Sequence, residues 1–253
     1  MDSIDTELTN RIRSDVIHGV LPADERISEA MLCKTYNVSR TPVRLALRIL
    51  EREGVIIRGE GRGYHVRTPT IADIRQAVEV RGHLESLAAR LMALSEKRTE
   101  HVSDMQTAID AIAAVVDAGN LDDVSIRQMQ MANESFHATI LGGCGNAFVG
   151  FTCQQISHLP MLSPGSMVFD RTLLASPEQL ERGILRLRLG NAQHQVICDA
   201  IASGDAVRAE RMMSEHSHTM IDYIETFEKR DGSLSVSDLV SYSAAEYPVS
   251  SKH

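Results

Sequence analysis

Two groups of side chains in this sequence are spaced to do chemistry. The first is a row of guanidinium groups. Arg40, Arg44 and Arg48 recur every four residues, so on a helix they share one face. The ordinary reading of such a row is a solvated face paired with glutamates. Here the nearest acids along the same stretch, Glu51 and Glu53, stand at its far end. An evenly spaced row close to a helix start is what a helix entering the major groove of DNA carries. The second group is a set of imidazoles. Asn133 and His137 lie at i, i+4 among Ile126, Met129, Phe136 and Ile140. His194 shares a stripe with Leu187, Ile197 and Ile201, and His216 shares one with Ala209, Met213, Met220 and Phe227. His194 precedes Gly204 by ten residues and His216 follows it by twelve. If Gly204-Asp205 joins two antiparallel helices, these histidines sit ~15 Å and ~18 Å from the bend, nearly level. Two imidazoles at one height, a third from another helix and one amide or carboxylate oxygen can close around a single Zn²⁺ or Ni²⁺. The competing reading makes each a core histidine with a hydrogen bond. His218 points elsewhere, among charged neighbours, and reads as a surface residue.

The elements that must hold the arginines are legible around them. Ser28 caps a short helix through Tyr36, and Asn37 sits where a tight turn needs φ > 0. Ser39 or Thr41 caps the next helix, with Pro42 in its first turn. Val43, Ala46, Leu47 and Leu50 form the inward face of that helix. Gly54 stops it, and Val55–Arg58 and Tyr64–Arg67 predict strands around a Gly59–Gly63 loop. Arg62 stands at the tip of that loop, where the glycines allow the backbone to approach a phosphate or the minor-groove floor. Upstream, residues 5–19 predict a first helix through Leu8, Ile12 and Val16, and Glu25–Ile27 a short strand.

Charge is unevenly shared. The chain of 253 residues has a formal net charge of −8, which on its own argues against a nucleic-acid partner. Residues 34–67 nevertheless hold eight Lys/Arg against three acids, and residues 69–253 hold 15 against 24. A basic small domain joined to an acidic larger one limits nonspecific coating of DNA. Apolar content of 43% and charged content of 24% are ordinary for a globular protein. No apolar run reaches the ~18 residues of a membrane span, and the acidic N-terminus lacks a signal-peptide core, so the cytoplasm is expected. Cys33, Cys144, Cys153 and Cys198 are scattered, which predicts reduced, mostly buried thiols.

After a Thr68-Pro69-Thr70 linker, helical periodicity is nearly continuous. Six helices are expected, at about 71–95, 99–118, 121–141, 145–158, 178–203 and 205–229. Leu159–Pro177, with three prolines, predicts a long connection placed to cover a cavity mouth. The fold class is therefore mostly α: a winged helix-turn-helix over residues 1–68, an all-α bundle over 69–230 and a loosely ordered Ser-rich tail over 231–253.

Arg26-Ile-Ser-Glu, Asn37-Val-Ser-Arg-Thr-Pro-Val-Arg and Leu50-Glu-Arg-Glu-Gly together resemble the winged-helix domain of GntR-family transcription regulators. The resemblance implies that Arg40 and Arg44 contact an operator, with Ser39 and Thr41 near the phosphates and Gly61 at the wing contact. Ala30 departs from the pattern, standing where a well-studied branch carries a DNA-contacting arginine. Asn133-x-x-Phe-His137, then His194-Gln-Val-Ile-Cys-Asp-Ala-Ile-Ala-Ser-Gly-Asp205, then Ala209-Glu to His216, is similar to the FCD-type effector domain of the FadR branch. That likeness implies a divalent metal held by Asn133, His137, His194 and His216. Asn133 replaces a commoner aspartate, so weaker binding and partial occupancy are expected. Arg81 lies on the core-facing stripe with Ile74, Val78, Leu84 and Ala88. It needs a carboxylate there: either Glu85 at i+4 or, as the likeness implies, that of an effector resting on the metal.

The function expected is a ligand-responsive, DNA-binding regulator, a repressor by family habit. It would act as a homodimer on a palindromic operator and respond to a small organic acid. A dimerising regulator with a structural metal and no effector is the alternative. A metal-dependent hydrolase is disfavoured, because Glu134, the nearest spare acid, points away from the Asn133/His137 face.

Overall fold

The computed structural model describes residues 4–17, 20–21, 26–59, 63–66, 71–119, 121–156, 168–170, 176–228 and 239–241. The chain divides into two compact units, Met1–Thr70 and Ile71–His253.

The first unit contains α1 (Ile4–Ile17), β1 (Arg26–Ile27), α2 (Glu29–Tyr36), α3 (Arg40–Arg52), β2 (Ile56–Arg58) and β3 (Tyr64–Val66). The strands form one antiparallel sheet in the order β1-β3-β2, with Arg26 opposite His65 and Ile57 opposite His65 on the other side. The expected helix-turn-helix geometry follows from local chemistry. Ser28 accepts a hydrogen bond from the Met31 N–H, and Asn37 takes up the left-handed conformation at φ 53° that ends α2. Leu8 and Ile12 of α1 pack against Leu32, Val43, Leu47 and Leu50 in a closed apolar core. Arg13 ties α1 to the end of α3 through both Glu53 carboxylate oxygens, at 2.8–3.1 Å. At the base of the wing, the Gly59 N–H donates to the Gly63 carbonyl at 3.2 Å. The His65 ring lies where a Gly59 side chain would begin, 2.5 Å from an added Cβ.

The second unit is α4 (Ile71–Leu94), a 3₁₀ turn (Arg98–His101), α5 (Val102–Ala118), α6 (Asp123–Gly143), α7 (Ala147–Ile156), α8 (Pro177–Ser203) and α9 (Ala206–Glu228). The helices match the periodic segments; the 3₁₀ turn replaces the first turn of the second expected helix. Asp122 and Ser176 cap α6 and α8 by accepting from Ser125 N and Gln179 N, and Pro177 starts α8. Gly119 and Gly204, at φ 67° and 76°, end α5 and α8 in the left-handed region. Ala88, Met92, Met105, Phe136, Ile197 and Met213 are fully buried where α4, α5, α6, α8 and α9 meet. Burying each of the five larger side chains among these stabilises the bundle by roughly 1.5–3 kcal/mol.

Three residues beyond residue 230 are among those described. Leu239–Ser241 forms β5, which pairs antiparallel with β4 (Val168–Asp170), Phe169 opposite Val240. β4 lies within the expected 159–177 connection, whose remaining residues, Ser176 and Pro177 apart, fall outside those described.

Candidate nucleic-acid interface and histidine cluster

On α3 the apolar positions Val43, Ala46, Leu47 and Leu50 face inward, which leaves Ser39, Arg40, Thr41, Arg44 and Arg48 exposed together. Ser39 caps the backbone turn in an extended conformation, yet its hydroxyl makes no capping hydrogen bond. The wing positions Gly61 and Arg62 lie outside the described residues. Among the described residues Arg40 and Arg48 have no carboxylate partner, but Arg44 does. Its Nε donates to both oxygens of Glu29, at 3.0 and 2.9 Å. Glu29 arrives from α2, so spacing along α3 alone gives no sign of it. An exposed pair of this kind contributes at most about 1 kcal/mol, so a guanine edge or a phosphate can displace Glu29. Glu51 and Glu53, the two acids on the far end of α3, are taken up by Arg58 and Arg13.

In the helical unit, His137 of α6, His194 of α8 and His216 of α9 each offer a ring nitrogen within 4.8 Å of the others. The turn at Gly204 makes α8 and α9 antiparallel neighbours, and the Nε2 atoms of His194 and His216 lie 3.2 Å apart. Phe136 supports the cluster, its ring centroid 4.2 Å from that of His194. His216 Nδ1 lies 2.9 Å from Gln193 Oε1, and Gln193 in turn donates to Thr219 Oγ1 at 3.1 Å. That chain fixes the Gln193 amide, so Nδ1 of His216 carries the proton and Nε2 presents its lone pair. His194 Nδ1 is buried with no hydrogen-bond partner. Asn133, also buried, lines a cavity shared with His194 and His216. His218 is exposed, with Nδ1 on the Ser214 carbonyl.

A carboxylate that did not figure among the expected ligands stands behind His137. Glu85 of α4, 2% exposed, places Oε2 3.1 Å from His137 Nδ1 and Oε1 3.5 Å from Arg81 Nε. The approach to His137 is too oblique for a well-formed hydrogen bond. Its charge still favours the tautomer with the proton on Nδ1, leaving Nε2 for the cluster. Arg81 is buried against Glu85, the internal pairing that was one of its two readings, and is absent from the cavity wall. Burial alone would raise the Glu85 pKa. Attraction to His137, then to Arg81, more than reverses this and holds the carboxyl at about 2. The clue in the sequence was Glu85 itself, one turn from Arg81, considered there only as a partner for that arginine.

Burial pushes His194 well below its ordinary value, and repulsion from His216 and His137 adds to it. Burial and then His137 bring His216 down to about 3. Both rings are therefore neutral at physiological pH, the state in which imidazole binds a metal. Neighbouring nitrogens in a tetrahedral zinc site lie about 3.3 Å apart, given Zn–N bonds near 2.05 Å. The 3.2 Å separation of His194 and His216 fits. With Asn133 lining the same cavity, these nitrogen donors suit a divalent transition metal.

Basic side chains displayed on a winged helix, attached in one chain to a helical bundle, define a DNA-binding transcription regulator. The family comparison agrees. Residues 5–66 match the bacterial regulatory proteins of the gntR family and residues 76–219 match the FCD domain. The chain belongs to the GntR family, with an FCD domain at its C-terminal side. It is 22% identical over 214 residues to the HTH-type transcriptional repressor GlaR of Escherichia coli, covering 85% of this chain and 92% of that one. It is 24% identical over 214 residues, 85% of each chain, to a probable D-xylose utilization operon repressor of Paenarthrobacter nicotinovorans. A match at 27% identity to the uncharacterized regulator YdhC of Bacillus subtilis spans 59% of this chain and 65% of that protein. Among solved structures, E. coli McbR/YncC shares the fold at TM-score 0.61 and 18% identity, over 89% of this chain and 99% of that one. The family and these relatives are transcription regulators, not enzymes. No helix among the described residues is long and apolar enough to cross a membrane.

Proposed function

We propose that this protein is a cytoplasmic repressor that binds a palindromic operator as a homodimer and is released by a small organic acid. Ser39, Arg40, Thr41, Arg44 and Arg48 of α3 meet the major groove and its phosphates, and Gly61 and Arg62 of the wing meet the backbone alongside. His137, His194 and His216, with the Asn133 oxygen, hold a divalent metal, zinc or nickel. When bound, that metal supplies a Lewis-acidic position for an effector carboxylate. Arg81 keeps Glu85 ionised, and Glu85 orients His137; the effector-clamping role expected of Arg81 gives way to this bracing role.

The observation that carries the reading is the pairing, in one chain, of an exposed arginine row with three converging imidazoles, two of them held neutral. A ligand in the helical domain shifts operator affinity only insofar as it binds the DNA-bound and free poses differently. The test is selection of genomic fragments by purified protein at low salt, followed by footprinting and metal analysis. Two protected half-sites about one helical turn apart and near-stoichiometric metal are expected. Affinity should fall steeply with salt, in proportion to the phosphates neutralised. Protein that binds every fragment alike, at any salt, would refute the repressor reading.

A further inference from the structure

Among the described residues, Arg44 alone of the three arginines in the α3 row is held by a carboxylate, and the manner of the hold is informative. Glu29 is the first residue of α2, directly after the cap Ser28, whose side chain accepts from Met31 N at 3.2 Å. An acid at that place is favoured by the helix dipole alone, which is reason enough for its presence. The dipole does not explain where the carboxylate points. Both of its oxygens lie on a single atom of Arg44, Nε, at 3.0 and 2.9 Å, across 15 positions of chain.

A guanidinium can make a pair of parallel hydrogen bonds from either of two edges, one built on Nε and one on Nη1 and Nη2. Glu29 takes the first through Nε, and no other carboxylate among the described residues meets Arg44. The remaining edge is the fork that matches O6 and N7 of guanine. Because Glu29 pulls from a capped helix start, the direction of the Arg44 side chain is set before DNA arrives. A long side chain otherwise loses its rotamer freedom on binding, and one already directed loses less. A second effect acts on every duplex alike. The carboxylate brings negative charge toward the phosphates and weakens binding that rests on charge alone. Both effects widen the gap between a matching and a random sequence.

We infer that Glu29 is a positioning residue for operator recognition: it holds Arg44 by Nε so that the Nη1/Nη2 fork is presented to one guanine, and its charge disfavours duplexes that offer no such guanine. The inference rests on the reading of α3 as the helix that enters the major groove. A guanine taken on the fork leaves the Nε contact in place, so Glu29 need not be displaced for Arg44 to read a base.

The test is fluorescence anisotropy of the full-length protein with two duplexes. One is the fragment that the wild type selects most strongly from genomic DNA, and the other is a scrambled duplex of the same length and base composition. Glu29→Ala should weaken binding of the selected fragment by about 3–10-fold and tighten binding of the scrambled one by about 2-fold. Glu29→Gln loses the charge but keeps an acceptor for Nε. It should match Glu29→Ala on the scrambled duplex and fall between wild type and Glu29→Ala on the selected one. On an Arg44→Lys background, which removes the fork, neither substitution should change the ratio of the two affinities; a merely structural role for Glu29 in α2 would persist there. Equal tightening of both duplexes by Glu29→Ala would make Glu29 a competitor for Arg44 and overturn the inference, with the operator reading left standing. A wild type that prefers no fragment would bring down the operator reading and this inference with it.

Discussion

Glu85 gives the most quantitative handle on the buried site. Glu85→Gln keeps the shape but removes the charge facing both Arg81 and His137. A carboxyl held at about 2 instead of 4.5 stabilises the folded state by about 3 kcal/mol at neutral pH. Breaking a buried pair from one side independently suggests ~3–5 kcal/mol. At ~2–4 °C per kcal/mol for a domain of this size, the lower figure corresponds to a fall in Tm of about 6–12 °C. The pH dependence has a definite sign. A depressed carboxyl contributes in full above its unfolded value and loses that contribution as pH falls through the folded one. The gap between wild type and Glu85→Gln should therefore be largest above pH 4.5 and shrink to roughly 40% of its neutral value by pH 3. Scanning calorimetry in the presence of a chelator measures it without interference from metal. Adding Arg81→Met should recover part of the loss, since it removes the buried positive charge that residue 85 no longer offsets. A fall in Tm below about 2 °C, or a gap that does not narrow on acidification, would show that Glu85 is not held as the geometry requires.

Three further outcomes are expected. Arg44→Ala should abolish operator-specific binding in a mobility-shift assay while Tm stays within about 2 °C, because its pair with Glu29 is exposed. His194→Ala should lose bound metal in elemental analysis of the purified protein, and a variant retaining full metal would rule out the cluster as its ligand set. Iodoacetamide at pH 8 with mass-spectrometric readout should label the half-buried Cys33 first. Cys153 and Cys198, pushed up by burial to about 12 and about 11, should stay unmodified until the protein unfolds.

What could be read from the residues alone was whatever depends on local spacing. The helices of both units followed from periodicity closed by Asn37, Gly119 and Gly204, whose left-handed backbones end the helices before them. The level placement of His194 and His216 followed from a short turn and a fixed rise per residue. What was missed depends on long side chains or distant partners. Arg186 is about 80° off the His194 stripe on a helical wheel, and it nevertheless lines the cavity beside His194 and His216. Glu29 meets Arg44 across a turn, and β4 meets β5 across some seventy residues with no turn signal to announce the pairing.

The hairpin that carries His194 and His216 has a kinetic consequence. Its two rings meet through contacts only 22 residues apart, of the short-range sort that form early in folding. His137 arrives from a helix more than fifty residues upstream, and Glu85 from one further back still. Assembly of the pocket should thus proceed from the C-terminal side, with two imidazoles already facing each other before α6 docks. A chain still emerging from the ribosome has its winged helix complete long before that hairpin is made, so newly synthesised copies hold the arginine row before they hold the histidine cluster.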